Sequence, residues 1–173
     1  MSDTNRRFEE IAMPHLSAAY NLARWLVRND HDAEDLVQEA YLRAFKFFDS
    51  FHGEDARAWL LAIVRNTCYT WLKQNRTQEL HDSFDEDTHS EADSSADPQS
   101  LMLQNANKEL LNRGIEALPL EFREILIMRE LEELTYKEIA TVANIPIGTV
   151  MSRLARARNM LRASLERIVQ EEK

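Results

Sequence analysis

The residues with the clearest chemical signal are arginines near the C-terminus. Residues 147–162 contain no acid, and their only charged side chains are Arg153, Arg156, Arg158 and Arg162. Guanidinium groups bind phosphates through paired hydrogen bonds, so this pattern favours binding of a nucleic-acid duplex. It would also fit the solvated face of a helical hairpin. Three small residues at the start of the segment favour the first interpretation, because they let a backbone approach phosphates: Gly148, Thr149 and Ser152.

A second group of cations lies among aromatic residues in residues 56–74. Apolar positions from Trp59 to Trp71 account for one side of a helix there, and the remainder is basic and aromatic. That remainder includes Arg65, Asn66, Tyr69, Thr70 and Lys73. Unpaired bases stack on aromatic rings while cations follow the backbone, so the pattern is typical of a single-strand binding surface. Several aromatic residues on one helix would equally fit a hydrophobic core.

A third polar group lies opposite an apolar stripe that runs from Ala33 to Phe48 and includes Phe45. Its members are Glu34, Asp35, Gln38, Glu39 and Arg43. Acids in a first helical turn can simply compensate the helix dipole. An exposed polar face of this regularity can also bind another protein.

The sequence contains no comparable pattern for catalysis or for metal binding. The five histidines show no metal-ligand spacing on a common helix face. Cys68 is the only cysteine, which excludes an internal disulfide, and we expect it to be a small buried core residue. We therefore expect no enzymatic activity, no metal and no cofactor.

Helices must position these groups, because the chain contains only three Gly and four Pro and lacks long alternating β-branched runs. Periodicity predicts helices over residues 8–28, with a break at Pro14, and from residues 30–32 to 48. Further helices are predicted over residues 56–74, 101–117 and 121–134. The predicted fold class is all-α.

The arginines belong to a predicted helix-turn-helix. Thr135 and Glu138 have the spacing of a capping box, so a short helix begins near Thr135. Asn144 and Pro146 end it, because Asn tolerates left-handed geometry and Pro restricts the residue before it. A second helix begins near Ile147, with an apolar stripe at Val150, Leu154, Ala157 and Leu161. In such motifs the second helix enters the DNA major groove.

The net charge of −9 is concentrated in one segment. Residues 77–107 contain eight acids and no Lys or Arg, so the rest of the chain has a net charge of −1. This composition predicts an acidic flexible linker over residues 77–100 between two helical domains, residues 1–76 and 101–173. No apolar run reaches membrane-spanning length, and the N-terminus is too polar for a secretory signal. We expect a cytoplasmic protein.

Four segments together resemble the signature sequences of one family. They are DAEDLVQEAYLRAF at residues 32–45, WLLAIVRN at 59–66, LPLEFREILIMRELEELTYKEIA at 118–140, and GTVMSRLARAR at 148–158. In this order and spacing they resemble extracytoplasmic-function (group IV) sigma factors of the bacterial sigma-70 family. The resemblance covers nearly all of residues 8–168. It implies sigma-two-like and sigma-four-like domains and a non-enzymatic promoter-specificity subunit of RNA polymerase.

The resemblance also implies a role for each polar surface. Core polymerase, through the β′ clamp helices, would bind Asp35, Gln38, Glu39 and Arg43. The minus-ten strand would be bound by Phe51, Arg65, Asn66, Tyr69, Thr70 and Lys73. The minus-thirty-five duplex would be bound by Thr149, Ser152, Arg153, Arg156 and Arg158. The polymerase β flap and an anti-sigma factor are further expected partners.

Two positions depart from the family pattern. Thr70 stands where the family commonly has Asp or Asn, and Met151 stands where a basic residue is frequent. The resemblance therefore does not specify the promoter sequences. Two alternatives stay open, namely an autonomous helix-turn-helix regulator with a helical sensor domain and an interaction module that binds an acidic protein. The regulator would need a ligand pocket or dimer face within residues 8–75.

Overall fold

The computed structural model describes residues 2–75 and 98–172. Within these two ranges the regular secondary structure is helical and contains no strand. The predicted all-α fold class is therefore confirmed. Most of the predicted linker lies outside the described residues, and the domain boundaries at residues 76 and 100 stay predictions.

The N-terminal bundle, residues 2–75, contains four α-helices. They are α1 (Asp3–Ala12), α2 (Leu16–Val27), α3 (Asp30–Lys46) and α4 (Ala56–Gln74), with 3-10 turns at Met13–His15 and Phe48–Ser50. The predicted break at Pro14 is confirmed, because Pro14 lies in the first 3-10 turn. Asn29 and Asp55 begin α3 and α4 by accepting hydrogen bonds from backbone N–H groups, each at 3.0 Å.

The C-terminal bundle, residues 98–172, contains four more α-helices. They are α5 (Pro98–Glu116), α6 (Leu120–Leu126), α7 (Tyr136–Ala143) and α8 (Ile147–Glu171). The predicted capping box at the start of α7 is confirmed. The Glu138 N–H donates to Thr135 Oγ1, and the Thr135 N–H donates to Glu138 Oε1, both at 3.0 Å. Asn144 ends α7 in the left-handed conformation, with φ of 56°, as its residue type indicated.

The structure differs from the single helix predicted over residues 121–134. The α6 helix ends at Leu126 and continues into a π-helical turn, Ile127–Leu131. There the Glu132 N–H donates to the Ile127 carbonyl at 3.1 Å, and Glu133 then takes a left-handed φ of 56°. This wider turn returns Leu134 to the core, where its side chain is fully buried immediately before α7. Apolar periodicity does not distinguish a π turn from a continued α-helix.

The apolar stripe of α3 is largely confirmed. Its buried members are Ala33, Leu36, Val37, Ala40, Ala44 and Phe48. The prediction was wrong for Phe45, of which 42% stays exposed. Its ring meets the Phe8 ring of α1 edge to face at 5.2 Å, and this partial cover leaves the other side of the ring open.

Apolar burial continues across the two bundles. The α4 helix packs against α7, and α2 packs against α6. One cluster of buried side chains contains Leu26 and Val64 of the N-terminal bundle together with Ile125 and Ile139 of the C-terminal bundle. The two bundles therefore contact each other directly, and the face of α4 that was predicted to bind DNA lies near this contact.

Candidate nucleic-acid and protein interfaces

The start of α8 presents its polar side chains outward. Val150, Leu154 and Ala157 are buried, which fixes the rotation of the helix. Ser152 is exposed, and Thr149 and Arg153 are half-buried. At Gly148 the place that a Cβ would occupy has no other part of the protein within 4 Å apart from the neighbouring residues and the backbone of α8 itself, so the first turn is open to a large partner. This arrangement suits the approach of a DNA backbone to the helix N-terminus.

The two remaining predicted arginines of α8 are exposed but differ in their contacts. The Arg156 guanidinium lies 5.3 Å from the centroid of the Phe122 ring, which belongs to α6. Arg158 donates two hydrogen bonds to Glu130 Oε1, at 2.7 and 2.9 Å. The hydrogen bond to Glu130 raises the pKa of Arg158. A phosphate would compete with a carboxylate at Arg158 and with a ring face at Arg156.

The polar face of α3 is exposed in the part of the chain that the structure describes. All four predicted polymerase-binding residues are exposed, namely Asp35, Gln38, Glu39 and Arg43. Arg43 and Glu39 form a pair at 3.3 Å, one helical turn apart. Such exposed pairs contribute little to folding, about 0–1 kcal/mol. The face can therefore exchange these contacts for contacts with another protein.

Sequence reasoning missed one residue of this face. Leu42 is 72% exposed and lies four residues after Gln38, which places it beside the polar side chains. Single exposed apolar residues are common on protein surfaces, but this one would add apolar area to a partner bound on the polar face. The signal was present in the sequence, because Leu42 does not belong to the spacing of the α3 apolar stripe.

The structure divides the six predicted minus-ten residues into three groups. Phe51 lies in an aromatic cluster, with its ring centroid 4.7 Å from that of Trp59. One exposed face of α4 contains Asn66, Thr70 and Lys73. The adjacent face contains Arg65 and Tyr69, which are half-buried against the C-terminal bundle. The face of exposed residues is available to a nucleic acid as it stands.

Arg65 is held by a carboxylate of the C-terminal bundle. It donates to Glu124 at 2.7 Å and 3.0 Å, and its guanidinium lies 4.0 Å from the Tyr69 ring centroid. The Glu124 side chain has no exposed surface. Burial disfavours charged Arg65, but the hydrogen bonds and charge of Glu124 outweigh it and raise the pKa of Arg65. Burial, together with the Glu124 charge, raises the pKa of Tyr69. Both groups therefore keep their protons at neutral pH.

The described residues offer few groups for metal binding or thiol chemistry. Cys68 is buried, as expected, and burial raises the pKa of its thiol to about 12. No cluster of three or more potential metal-ligating side chains occurs in residues 2–75 and 98–172. Among the helices that the structure describes, none has the length and apolar character needed to cross a membrane.

Comparisons with known proteins give a family match for each of the two bundles. Residues 11–78 match the family described as Sigma-70 region 2, and residues 108–161 match Sigma-70, region 4. The ECF RNA polymerase sigma-E factor of Escherichia coli (strain K12) is 34% identical over 137 residues, which cover 75% of this chain and 72% of that protein. The RNA polymerase sigma-H factor of Pseudomonas aeruginosa is 30% identical, with coverage of 96% and 90%.

Two solved structures resemble the described fold. The sigma factor RpoE from Bartonella quintana, crystallised with the anti-sigma factor NepR, has a TM-score of 0.73 and 28% identity. The match covers 93% of this chain and 98% of that chain. CnrH, solved with the cytosolic domain of CnrY, has a TM-score of 0.64 and 22% identity, with coverage of 94% and 89%. This second likeness concerns the fold.

Proposed function

This chain belongs to the sigma-70 family as an extracytoplasmic-function sigma factor, a promoter-specificity subunit of RNA polymerase that directs transcription initiation, and on that premise we propose which surfaces perform each step. Core enzyme binds the polar face of α3. The unpaired minus-ten strand binds α4 and the loop before it. The minus-thirty-five duplex binds the first half of α8.

The observation that carries the duplex role is the division of α8 into a buried stripe and an outward basic face. Val150, Leu154 and Ala157 fix the helix on the bundle, so the outward positions cannot rotate away from a bound duplex. Thr149, Ser152, Arg153 and Arg156 lie on one side of that stripe, and Arg158, which is paired with Glu130, lies on the other side. Thr149 and Ser152 suit contacts with phosphates or bases near the helix start, and the arginines suit phosphates or guanines.

The two faces of α4, one exposed and one half-buried, support two kinds of contact with the minus-ten strand. Asn66 and Lys73 supply exposed hydrogen-bond donors for the backbone and base edges, and the Thr70 hydroxyl, which donates to the Asn66 carbonyl at 2.9 Å, supplies an acceptor. Tyr69 and Arg65 supply a ring and a guanidinium on which bases can stack. Phe51 takes part through the aromatic cluster that shapes the loop, with Trp59 as its nearest ring.

Core polymerase would bind α3 through the β′ clamp helices. Asp35, Gln38, Glu39 and Arg43 form the polar contacts, and exposed Leu42 adds apolar area beside them. By family resemblance, the C-terminal bundle contacts the β flap. We further propose that the chain acts in the cytoplasm, has no catalytic activity of its own and is bound by an anti-sigma factor, as the RpoE relative is.

Co-purification of the full chain with core polymerase tests the α3 surface. The double variant Gln38→Ala with Glu39→Lys should lose core binding and keep its thermal stability within about 1 kcal/mol, because exposed helix positions contribute little to folding. The matched control is Gln170→Ala with Glu171→Lys, the same residue pair on an exposed part of α8. The control should bind core polymerase like the wild type. Retained binding by the α3 variant would refute this surface.

The alternative of an autonomous regulator is not favoured. The relatives that match most of this chain are RNA polymerase sigma factors. The N-terminal bundle, which a regulator would use as a sensor, matches Sigma-70 region 2.

A further inference from the structure

We infer that Met151 is a specificity-determining residue of the duplex site, and that it reads the C5-methyl group of a thymine in the minus-thirty-five element. The inference rests on the proposed duplex role of α8. It deepens that role, because it assigns a base to a side chain outside the polar contacts already proposed. Met151 lies on the first half of α8, and 51% of it is exposed.

Met151 is the centre of an exposed apolar row. Ile147 and Ala155 lie four residues before and after it, and residues at this spacing are neighbours on a helix surface. Ile147 is 44% exposed, and Ala155 is exposed as well. Single exposed apolar residues are ordinary on protein surfaces. From Ile147 to Asn159, however, every exposed apolar side chain belongs to this row, which forms a continuous surface that a partner can cover.

The row is separate from the stripe that holds α8 on its bundle. Successive residues of an α-helix are rotated by about 100°, so Met151 points about 100° away from buried Val150. By the same geometry Ala155 points still further from the stripe. Val150 and Leu154 are buried, whereas no member of the row is. The row therefore offers apolar area that packing of the bundle does not use.

The charges around the row indicate which partner covers it. Residues 147–162 contain no acid. Arg156 lies on one side of the row, and Arg158 lies on the other side, two turns beyond Met151. Gly148 separates the start of the row from the polar side of α8 and adds no side chain there. An apolar row between guanidinium groups is complementary to a polyanion that also exposes apolar groups, and a DNA duplex is such a partner.

The chemistry of the base edges identifies the group that Met151 contacts. A phosphate offers a methionine side chain no apolar contact. In the major groove the C5-methyl group of thymine is the apolar group of the base edges. Methionine is flexible and polarizable, so it can follow such a methyl group closely. Lys or Arg at this position would instead bind guanine, so methionine changes the preferred base.

The test uses reconstituted holoenzyme and a fluorescein-labelled duplex selected with wild-type holoenzyme from a library randomised at the minus-thirty-five element. Each thymine of the element is replaced in turn by deoxyuridine, which lacks the methyl group and keeps the O4 acceptor. One replacement should weaken wild-type binding about fourfold, the loss expected for one methyl group in an apolar contact. Met151→Ala should bind the thymine duplex at least about fourfold more weakly. It should lose nothing further with deoxyuridine at that position.

Two further variants separate base reading from a structural role. Met151→Leu keeps an apolar side chain and should keep the sensitivity to deoxyuridine. Met13→Ala is the matched control, because Met13 is 48% exposed and lies in the N-terminal bundle outside the proposed contacts. It should bind both duplexes like the wild type. A merely structural role of Met151 would weaken binding of both duplexes equally and leave the deoxyuridine effect unchanged. Circular dichroism checks the helix content of each variant.

Each outcome decides the inference. Loss of the deoxyuridine effect in Met151→Ala, with retention in Met151→Leu and in the control, supports it. A selected element without a methyl-sensitive thymine, or a deoxyuridine effect that Met151→Ala keeps, would overturn it. Weaker co-purification of Met151→Ala with core polymerase, with the deoxyuridine effect kept, would assign the row to a protein contact instead.

The variant Arg156→Ala distinguishes failure of this inference from failure of the duplex role. If Arg156→Ala weakens duplex binding and Met151→Ala keeps the deoxyuridine effect, the duplex role of α8 stands and only the reading by Met151 is wrong. If neither variant weakens duplex binding, the duplex role of α8 is wrong as well.

Discussion

Arg156 offers the sharpest test of how α8 meets DNA. The side chain is exposed, and its guanidinium lies 5.3 Å from the Phe122 ring centroid. Under the proposed duplex role, replacing it by alanine should remove one contact with a base or phosphate, and such contacts contribute about 1–3 kcal/mol. This is a loss of about 5- to 150-fold in affinity.

The cost to folding should be smaller than the cost to binding. An exposed cation–π contact contributes about 0.5–1 kcal/mol, and alanine is at least as good a helix former as arginine. Arg162→Ala is the matched control. It removes the same exposed residue type from the same helix, about one and two-thirds turns away and outside the predicted contacts. We expect its loss of affinity to stay within about threefold, as for a distant charge.

The assay is fluorescence anisotropy of the reconstituted holoenzyme on a labelled duplex. The duplex is selected with wild-type holoenzyme from a library randomised at the minus-thirty-five element. Circular dichroism checks that each variant keeps its helix content. Wild-type affinity in Arg156→Ala would show that Arg156 only covers Phe122. Equal losses from Arg156→Ala and Arg162→Ala would show a diffuse electrostatic contact in place of a docked recognition helix.

Two further predictions concern the packing of the C-terminal bundle and its contact with α4. Gly114→Ala should lower the free energy of unfolding by about 1 kcal/mol in chemical denaturation, because the overpacking outweighs the gain in helix propensity. The new Cβ would lie 2.6 Å from Leu165 Cδ2 and 3.1 Å from Leu161 Cδ1. A higher stability of the variant would show that both leucines move freely. Burial raises the pKa of Glu138, but hydrogen bonds from Arg57 and the Thr135 N–H outweigh it and hold that pKa below its ordinary 4.5. The contribution of Glu138 to stability is thus complete above pH 4.5 and is lost as pH falls through the lowered pKa of the folded state. The difference in unfolding free energy between wild type and Glu138→Gln should shrink over that pH range. A pH-independent difference would contradict the lowered pKa of Glu138.

Local chemistry explains why much of the fold could be predicted from the sequence. The bounds of α4 follow from Asp55, which caps its first turn, and from the continuous apolar spacing up to Trp71. The helix-turn-helix follows in the same way, because Thr135 caps the start of α7, and Asn144 and Pro146 form the turn before α8. In these segments the residues that start and stop each helix lie within a few positions of its ends.

The contact between the bundles could not be predicted in this way. Glu124 and Arg65 are 59 positions apart, and each resembles an ordinary charged residue on a helix surface. Their burial depends on how α4 meets the C-terminal bundle, which no local pattern encodes. For the same reason the sequence placed Arg65 and Tyr69 with Asn66 on one DNA-binding surface, whereas the structure separates them into a covered face and an exposed face.

The length of α8 has a consequence for how such a protein diversifies. Its 25 residues extend about 37 Å, and the two halves pack on different partners. The first half buries its stripe on α6 and α7, while Leu161 and Leu165 of the second half lie against Gly114 of α5. Thr149, Ser152 and Arg153 lie on the outward side of the first half. Under the duplex role that we propose for these residues, substitutions there would redirect a duplicated gene copy to new promoters, while the buried stripe that holds α8 on the bundle is kept.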